Sequence, residues 1–574
     1  VLIGIAMLLS PLLFSCAGLP KEMDAAYQVD DFSVVADGRA AESLRDRRIE
    51  GGLSLGVYSH GETLVARGYG YADKAKGRAI TGSTPMPIGS VTKTFTGLAV
   101  MQLVERGALR LDDPLSMHIP DLKLPGQAEQ KITVEMLLTH RAGIQGDILS
   151  DFITREEVDP SVFQRRILDF LEDRPLLFEP GKLFSYSNAG YALLGILIEE
   201  KSGLSYSRYI REHIFEPAGM EDSLVYPAER NAALPLGYGM GDPLPPPYIR
   251  DMAAGSLLVS SRDMMKFLDA IFSNKIIDEE TWQNMIRVHN EGNRYDRSFS
   301  IGLSYWLINP LGTEDKMAAH GGDLPPFQAL LVIMPHRKSA VYVAANDFST
   351  QKPLAMETGM EVLEDLLEFE ERTPLVEQQT APVRGLGFSG EPAQLAGTYN
   401  TAVGPIEISE KNGKISMVLM GKKLYLSQDD LGWWKPQLRI LGIPLKIAAL
   451  EALSLDMFMV DGEAWIGLWS GGIYGGAYRK IEDPGKPAGF ASRTGKWKAV
   501  DSGEFLQEIE IRETRDYYVL FFDFIGNEVN LILEPIGPHL ARTAGEGRFV
   551  GDELQFRREG DRDLLEYSGI TFER

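Results

Sequence analysis

Three short clusters in this chain carry side chains able to do chemistry together. The first is Pro87-Ile88-Gly89-Ser90-Val91-Thr92-Lys93, followed by the apolar, helix-compatible run Thr94 to Val100. A turn-tolerant glycine leads into Ser90. The pattern predicts Ser90 at the first turn of a helix and Lys93 one turn further on. Positions i and i+3 share a helix face, so the amine reaches the hydroxyl. A serine is a weak nucleophile until a base takes its proton, and a lysine serves as that base when burial or a neighbouring cation lowers its pKa. The helix N-terminus also aims N–H groups and positive dipole at Ser90, which suits a developing oxyanion.

The second cluster is Tyr186-Ser187-Asn188. A tyrosine hydroxyl can relay a proton, and an asparagine amide can orient both a lysine and a substrate carbonyl. The third is His320-Gly321-Gly322, ahead of an apolar strand. Its glycines let a substrate backbone lie alongside the strand, and His320 adds a donor or a charge near neutral pH. Each cluster alone also has a bland reading. Tyr186 is then a core residue before a helix, and His320 a surface residue in a glycine turn. Ser-x-x-Lys recurs at Ser349-Thr350-Gln351-Lys352, ahead of Pro353, where the spacing is chance.

The elements that position these clusters follow from periodicity. Leu53, Leu55 and Val57, then His60-Gly61-Glu62, then Leu64-Val65-Ala66 predict a hairpin. Helices are expected from Ser90 to about Gly107, over Ile132 to Leu138, Val162 to Leu171, after Tyr191 through Leu194, Ile196 and Ile198, over Tyr206 to Ile214 and Arg262 to Ile271. Gly302 to Leu307, Phe327 to Met334 and Ala340 to Ala345 read as strands, and Met356 to Phe369 as a closing helix. Strands at both ends with helices between them imply an antiparallel sheet whose first and last strands are neighbours. Glu370 to Ala393 has no periodicity and reads as a linker. Beyond it the chain is strand-like. Gly397-Thr398-Tyr399 and Gly495-Lys496-Trp497 start two similar alternating stretches, which predicts two antiparallel barrels, with one larger β-sandwich as the alternative. The break between them falls at Asp483 to Pro487. Ile440 to Leu455 is interrupted by Lys446 and Glu451 and is not read as membrane-spanning.

The chain has 574 residues, more than one core supports, and its 44% apolar and 24% charged residues are those of a globular protein. A net charge of −23 argues against nucleic acid as a partner. The histidines are scattered and Cys16 is the only cysteine, so no metal site, cofactor loop or intramolecular disulfide is expected. Val1 to Ser15 is uncharged and mostly apolar, with the length of a signal-peptide core. It ends in Leu13-Phe14-Ser15-Cys16-Ala17, which resembles the lipobox of bacterial lipoproteins, although Phe14 is bulky and a basic leading segment is missing. Cys16 is then the lipid-attachment site of an exported, membrane-anchored protein facing the periplasm or cell exterior. The alternative is an ordinary cleaved signal peptide in which Cys16 is incidental.

Taken in order, the three clusters resemble those of the penicillin-recognising serine hydrolases, the group of class C β-lactamases, D,D-peptidases, D-aminopeptidases and esterases. Ile132 to Ile144, with Leu137-Leu138-Thr139-His140, resembles a framework segment of that family, as do Phe215 to Met220 and Ala254 to Ser260. The resemblance covers residues 31–370. It implies an α+β fold: a β-lactamase/transpeptidase-like catalytic domain with an antiparallel sheet, flanking helices and an all-helical region, followed by one or two all-β barrels. The domain plan is a signal segment (1–16), a tether (17–30), the hydrolase domain (31–370), a linker (371–394) and barrel-like domains at 395–484 and 485–574. The resemblance makes Ser90 the acylated nucleophile, with Lys93 and Tyr186 sharing base and acid work. Asn188, His320, Gly321 and Gly322 become substrate-binding residues, and the backbone N–H groups of Ser90 and Asp323 the oxyanion hole. Where β-lactamases carry Lys-Thr-Gly this chain has His-Gly-Gly, which is similar to the aminopeptidase and esterase members and removes a lysine that would hold a substrate carboxylate. The expected reaction is cleavage of an amide or ester, such as a D-amino-acid peptide or small ester. The alternatives are β-lactamase or D-Ala-D-Ala carboxypeptidase activity, and a non-catalytic receptor on the same scaffold.

Overall fold

The structure is a computed structural model. It describes residue 28 and residues 30–574, apart from 29, 47, 155–157, 173, 229–233, 310–315, 349–352, 373–387, 389, 402–403, 420, 441–442, 446–449, 451–452, 471–472, 502–505, 525–526 and 546–550. Cys16, the apolar run before it, Ser349 to Lys352 and most of the expected linker lie outside the described residues.

An eight-stranded antiparallel sheet organises the first part of the chain. Its strands are β1 (Gly52–Ser59), β2 (Glu62–Asp73), β3 (Arg78–Ala79), β4 (Ser300–Ile301), β5 (Trp306–Ile308), β6 (Met317–Leu324), β7 (Phe327–Met334) and β8 (Ser339–Ala345), in the order β3-β2-β1-β8-β7-β6-β5-β4. The hairpin over 51–70 forms as the alternation implies, and β1 lies beside β8, from Leu53 opposite Ala345 to Tyr58 opposite Ala340. Helices cover both faces, so both sides of each central strand are apolar. On β7, Leu330, Val332 and Met334 pack with α1 (Phe32–Asp46) and the closing helix Leu354–Glu371. Ala329, Leu331 and Ile333 belong to the other core, together with Phe95 and Leu98 of α2 (Thr92–Glu105) and Leu194 of α3 (Asn188–Ser202). Helix α2 runs through the middle of this core with every residue from Thr92 to Leu103 buried, which is why its sequence lacks a polar face.

Two strands differ from expectation. Of Gly302 to Leu307 only Trp306 and Leu307 lie in a strand, because the chain turns at Ser304, φ +70°. His320-Gly321-Gly322 does not precede a strand but lies inside β6. Met-Ala-Ala-His-Gly-Gly-Asp-Leu has little intrinsic strand preference. It is extended because β7 pairs with it from Ala318 to Leu324 and β5 from Met317 to Ala319.

The C-terminal region forms two closed eight-stranded barrels rather than one sandwich. In the first, eight strands between Gly397 and Ile481 close where Gly397–Thr401 pairs with Ile473–Ile481, and the short Ile443–Leu445 strand is appended. In the second, Gly495–Ala499 closes on Ile570–Glu573. Apolar side chains fill both interiors, as eight strands allow, among them Ile406, Met417 and Ile466 in the first and Trp497, Leu520 and Leu531 in the second. The first barrel also has an apolar outer side. Phe458, Trp465, Trp469 and Tyr474 join the core of the sheet domain, and Phe299 stacks on Tyr474 at 4.9 Å between ring centroids. The barrels meet at Asn400, which accepts from the Ile532 N–H (3.1 Å) and donates to the Ala544 carbonyl (2.6 Å). No helix among the described residues is long and apolar enough to cross a membrane.

The ends of the sheet domain are tied by Arg39 of α1, whose guanidinium donates two hydrogen bonds to Asp365 at 2.6 and 3.0 Å. Both side chains are more than nine-tenths buried. Removing one partner strands a buried charge, so Asp365→Ala should cost about 3–5 kcal/mol in denaturant unfolding of this domain. A loss below about 1 kcal/mol would count against a structural role for the pair.

Candidate active site

Ser90 sits in a one-turn 3₁₀ segment, Gly89–Val91, that feeds directly into α2. Gly89 has φ +48°, so the chain reverses there before the helix starts. The turn is fixed from outside as well. The Ile88 N–H donates to the Leu257 carbonyl, and the Leu257 N–H donates to Thr92 Oγ1. One helical turn on, Lys93 is fully buried. Its Nζ donates to Ser90 Oγ (3.1 Å), Asn188 Oδ1 (2.7 Å) and the Ala254 carbonyl (2.8 Å), and lies over the rings of Tyr186 (4.9 Å) and Tyr191 (5.3 Å).

Tyr186 and Asn188 are delivered by the start of α3. Ser187 caps that helix, its Oγ accepting from the Gly190 N–H at 2.9 Å. The bend before the cap is held by His140, itself at φ +55°. Its carbonyl accepts from the Ser185 N–H and its Nδ1 from the Ser187 N–H, while its ring packs on Tyr186 at 4.4 Å. This gives the Thr139-His140-Arg141 segment a physical role as a template for the second cluster. Asp296 adds an anchor by accepting from the Phe184 N–H at 2.8 Å, and burial raises its carboxyl pKa.

The third cluster meets Ser90 backbone to backbone. A Cβ placed on Gly322 would lie 1.9 Å from the Ile88 carbonyl oxygen and 3.1 Å from Ser90 N, and one on Gly89 would lie 2.9 Å from Asp323 N. The hairpin fixes which groups face that contact. Leu324 pairs with Phe327 across Pro325-Pro326. Prolines have no N–H, so this is the hydrogen-bonded type of pair, and the types alternate along an antiparallel ladder. The Gly322–Ala329 pair is therefore also hydrogen-bonded, whereas the backbone groups of Gly321 and Asp323 point away from β7. On that side β5 stops pairing at Ala319. The Asp323 N–H thus points away from β7, into the space that β5 leaves beyond Ala319.

His320 departs from expectation. It is 1% exposed, its ring stacks on Trp306 at 4.4 Å, and its Nδ1 bonds the neighbouring Gly321 carbonyl at 2.6 Å. Burial and the nearby Lys93 amine push its pKa down to about 3. It is neutral at physiological pH, so the charge expected near neutral pH is not there. Stacking by Trp306 is a long-range contact that local sequence does not reveal.

Asp147 was not singled out by the sequence. It accepts from Asn188 Nδ2 at 2.6 Å, so the Asn188 amide is held on both ends, by Asp147 and by Lys93. A lone acid in an irregular stretch carries no local signal. Among the described residues, no three His, Cys, Asp or Glu side chains form a group that could hold a metal ion.

Two outcomes follow. Gly322→Ala should lower kcat by about a hundredfold or more while leaving the circular dichroism spectrum unchanged, because the added methyl pushes strand and turn apart. Near-native turnover would show that the contact is not needed. For His320 the linkage sign is acid-destabilising. The unfolded chain takes up a proton near pH 6.5 and the folded chain only near 3, so stability is complete above 6.5 and is lost as pH falls through that window. The thermal midpoint of the wild type should fall more steeply than that of His320→Gln below pH 6.5, and parallel curves would count against the buried neutral ring.

Comparison with known proteins agrees with this architecture. The beta-lactamase family model matches residues 38–361, just over half of the chain. Protein flp of Staphylococcus aureus strain MW2 is 29% identical over 322 residues, which are 53% of this chain and 61% of that protein, so the chain spans about three-fifths of that relative. The octameric penicillin-binding protein homologue of Pyrococcus abyssi superposes with a TM-score of 0.52 at 24% identity, over 79% of this chain and all of that one. The D-amino acid amidase of Ochrobactrum anthropi SV3, solved with L-phenylalanine amide, superposes with a TM-score of 0.50 at 25% identity, over 59% of this chain and all of that one. The chain belongs to the beta-lactamase family, the serine hydrolase family of the penicillin-binding protein and D-amino acid amidase homologues.

Proposed function

We propose that the protein cleaves small amide or ester bonds through an acyl-enzyme on Ser90, with amino-acid amides, including those of D-amino acids, as its substrate class. Ser90 Oγ attacks the carbonyl carbon while Lys93, reacting as the neutral amine with its two hydrogens on Asn188 Oδ1 and the Ala254 carbonyl and its lone pair toward Ser90, takes the hydroxyl proton. The N–H groups of Ser90 and Asp323 receive the oxyanion. Collapse expels the amine or alcohol, which gains a proton through Tyr186. Water then releases the acid by the reverse sequence. Asn188 keeps the lysine aimed at Ser90, and its remaining N–H hydrogen can meet the substrate.

The observation that carries the substrate class is the neutral His320. At the third cluster the chain presents a buried, uncharged imidazole, with no lysine ammonium there to hold a C-terminal carboxylate. This favours substrates whose reacting carbonyl is not followed by a free carboxylate, and it disfavours D-Ala-D-Ala carboxypeptidase activity. The amidase relationship, at 25% identity, points the same way.

A panel of D-alanyl p-nitroanilide, p-nitrophenyl acetate and butyrate, nitrocefin and a D-Ala-D-Ala peptide tests the reading. The anilide and esters should be turned over at least about tenfold faster than the carboxylate-bearing peptide, and the opposite ranking would assign a carboxypeptidase. A fluorophosphonate probe should label the wild type and not Ser90→Ala. An unlabelled wild type with no turnover on any substrate would leave the receptor alternative standing.

A further inference from the structure

The segment Gln145 to Ser150 carries Asp147 and lies between the site and the second barrel. Its site-facing bonds are to Asn188. The Gly146 carbonyl accepts from the Asn188 N–H (2.8 Å), and Asp147 holds the Asn188 amide. On its other side the partners come from more than 400 residues away. Gln145 Nε2 donates to Asp552 Oδ1 at 2.5 Å, and Arg174 bridges both, at 3.1 Å to each. The Leu149 N–H donates to Ser568 Oγ (3.0 Å) and the Ser150 N–H to the Ser568 carbonyl (3.1 Å).

Ser568-Gly569 is the two-residue turn of the last hairpin, between Tyr567 and Ile570, with both turn residues at positive φ. A Cβ on Gly569 would lie 2.8 Å from that of Ser150, so turn and segment pack with no room for a side chain. Leu149 is inserted into the core of the second barrel. Gln145, Asp147, Leu149, Asp552, Tyr567 and Ser568 are all buried. Burial, with the Asp552 and Asp147 carboxylates nearby, holds the Tyr567 phenol well above its ordinary pKa, so the hydroxyl stays protonated.

We infer that Asp552 and the Ser568-Gly569 turn are positioning residues for acylation: the second barrel sets the Gln145–Ser150 segment, which sets Asn188, which aims Lys93. A barrel serving only as an appendage could dock on any part of the surface. This one docks on the segment that carries the carboxylate holding the Asn188 amide, and it supplies the bonds of two of that segment's N–H groups. The inference rests on Ser90 and Lys93 being the acylating pair.

The test compares full-length Asp552→Ala, Ser568→Ala, Gln145→Leu and Asp552→Asn with wild type on p-nitrophenyl acetate, alongside hydrogen exchange of the peptide spanning 145–151. Asp461→Asn, at the exposed Arg294 contact of the other barrel, serves as control. The first three variants should lower kcat about tenfold with KM within about twofold and raise exchange in 145–151. Asp552→Asn keeps an acceptor for Gln145 and should recover most of kcat, and the control should match wild type. Should Asp552→Ala not fold, Gln145→Leu and Ser568→Ala read the same contact from either side. Wild-type kcat in Gln145→Leu and Ser568→Ala overturns the inference, whether or not exchange rises. So does an equal loss in the Asp461→Asn control. Turnover that survives Ser90→Ala would instead sink the site reading itself, whereas an inactive Ser90→Ala beside fully active barrel-contact variants would sink this inference alone.

Discussion

A lysine amine with no access to water must have acceptors for its hydrogens, and much of the site can be understood as meeting that requirement for Lys93. A buried donor without partners costs several kcal/mol. Its three acceptors come from positions 90, 188 and 254, on three separate elements. Each is held in turn: Ser90 by the Leu257 contacts, Asn188 by Asp147 and Gly146, and Ala254 within the short Met252–Gly255 helix. The same demand that makes the amine costly to bury brings a hydroxyl, an amide and a carbonyl to one point. An exposed lysine would place no such demand and would leave Ser90 without a directed partner.

The opposite side of the site is built without side chains. Gly89 and Gly322 let a turn and a strand approach to the contact distance of their backbones, and the proline pair at the end of β6 sets which N–H groups are turned away from β7. Backbone donors fixed in this way need no reorganisation as charge develops on a carbonyl oxygen. Beside them Trp306 and Tyr186 pack on the buried His320 ring, at 4.4 and 6.3 Å between ring centroids.

What was legible in the sequence tracks how local each feature is. Ser90 and Lys93 are one helical turn apart, so their contact could be read from spacing. Tyr186-Ser187-Asn188 reads as a turn leading into a helix, so the second cluster's place at a helix entry could be read as well, although the cap that Ser187 makes there could not. The sheet's first-to-last pairing and the paired barrels followed from alternation and from the order of elements. Strand β6 was not legible as a strand because Ala, Gly and Asp favour other conformations, and only its neighbours extend it. The neutral state of His320 depends on Trp306, and the role of Asp147 on Asn188. The barrel's hold on Gln145 joins residues more than 400 positions apart. None of these has a period or a motif, because each is a property of the packed chain.

The pairing of β1 with β8 also bears on how the molecule comes to exist. Leu53 meets Ala345, and α1 meets the closing helix through Arg39 and Asp365, so the sheet has no left-hand neighbour for β1 until nearly 300 further residues have been made. At ribosomal rates of about 5–20 residues per second, the apolar strand β1 therefore waits on the order of fifteen seconds to a minute before β8 emerges, whereas β2 has its partners β1 and β3 at hand. Contacts this distant in sequence close slowly even then. Synthesis thus passes through an interval in which β1 has β2 on one edge and nothing on the other, and that open apolar edge is free to pair with another chain.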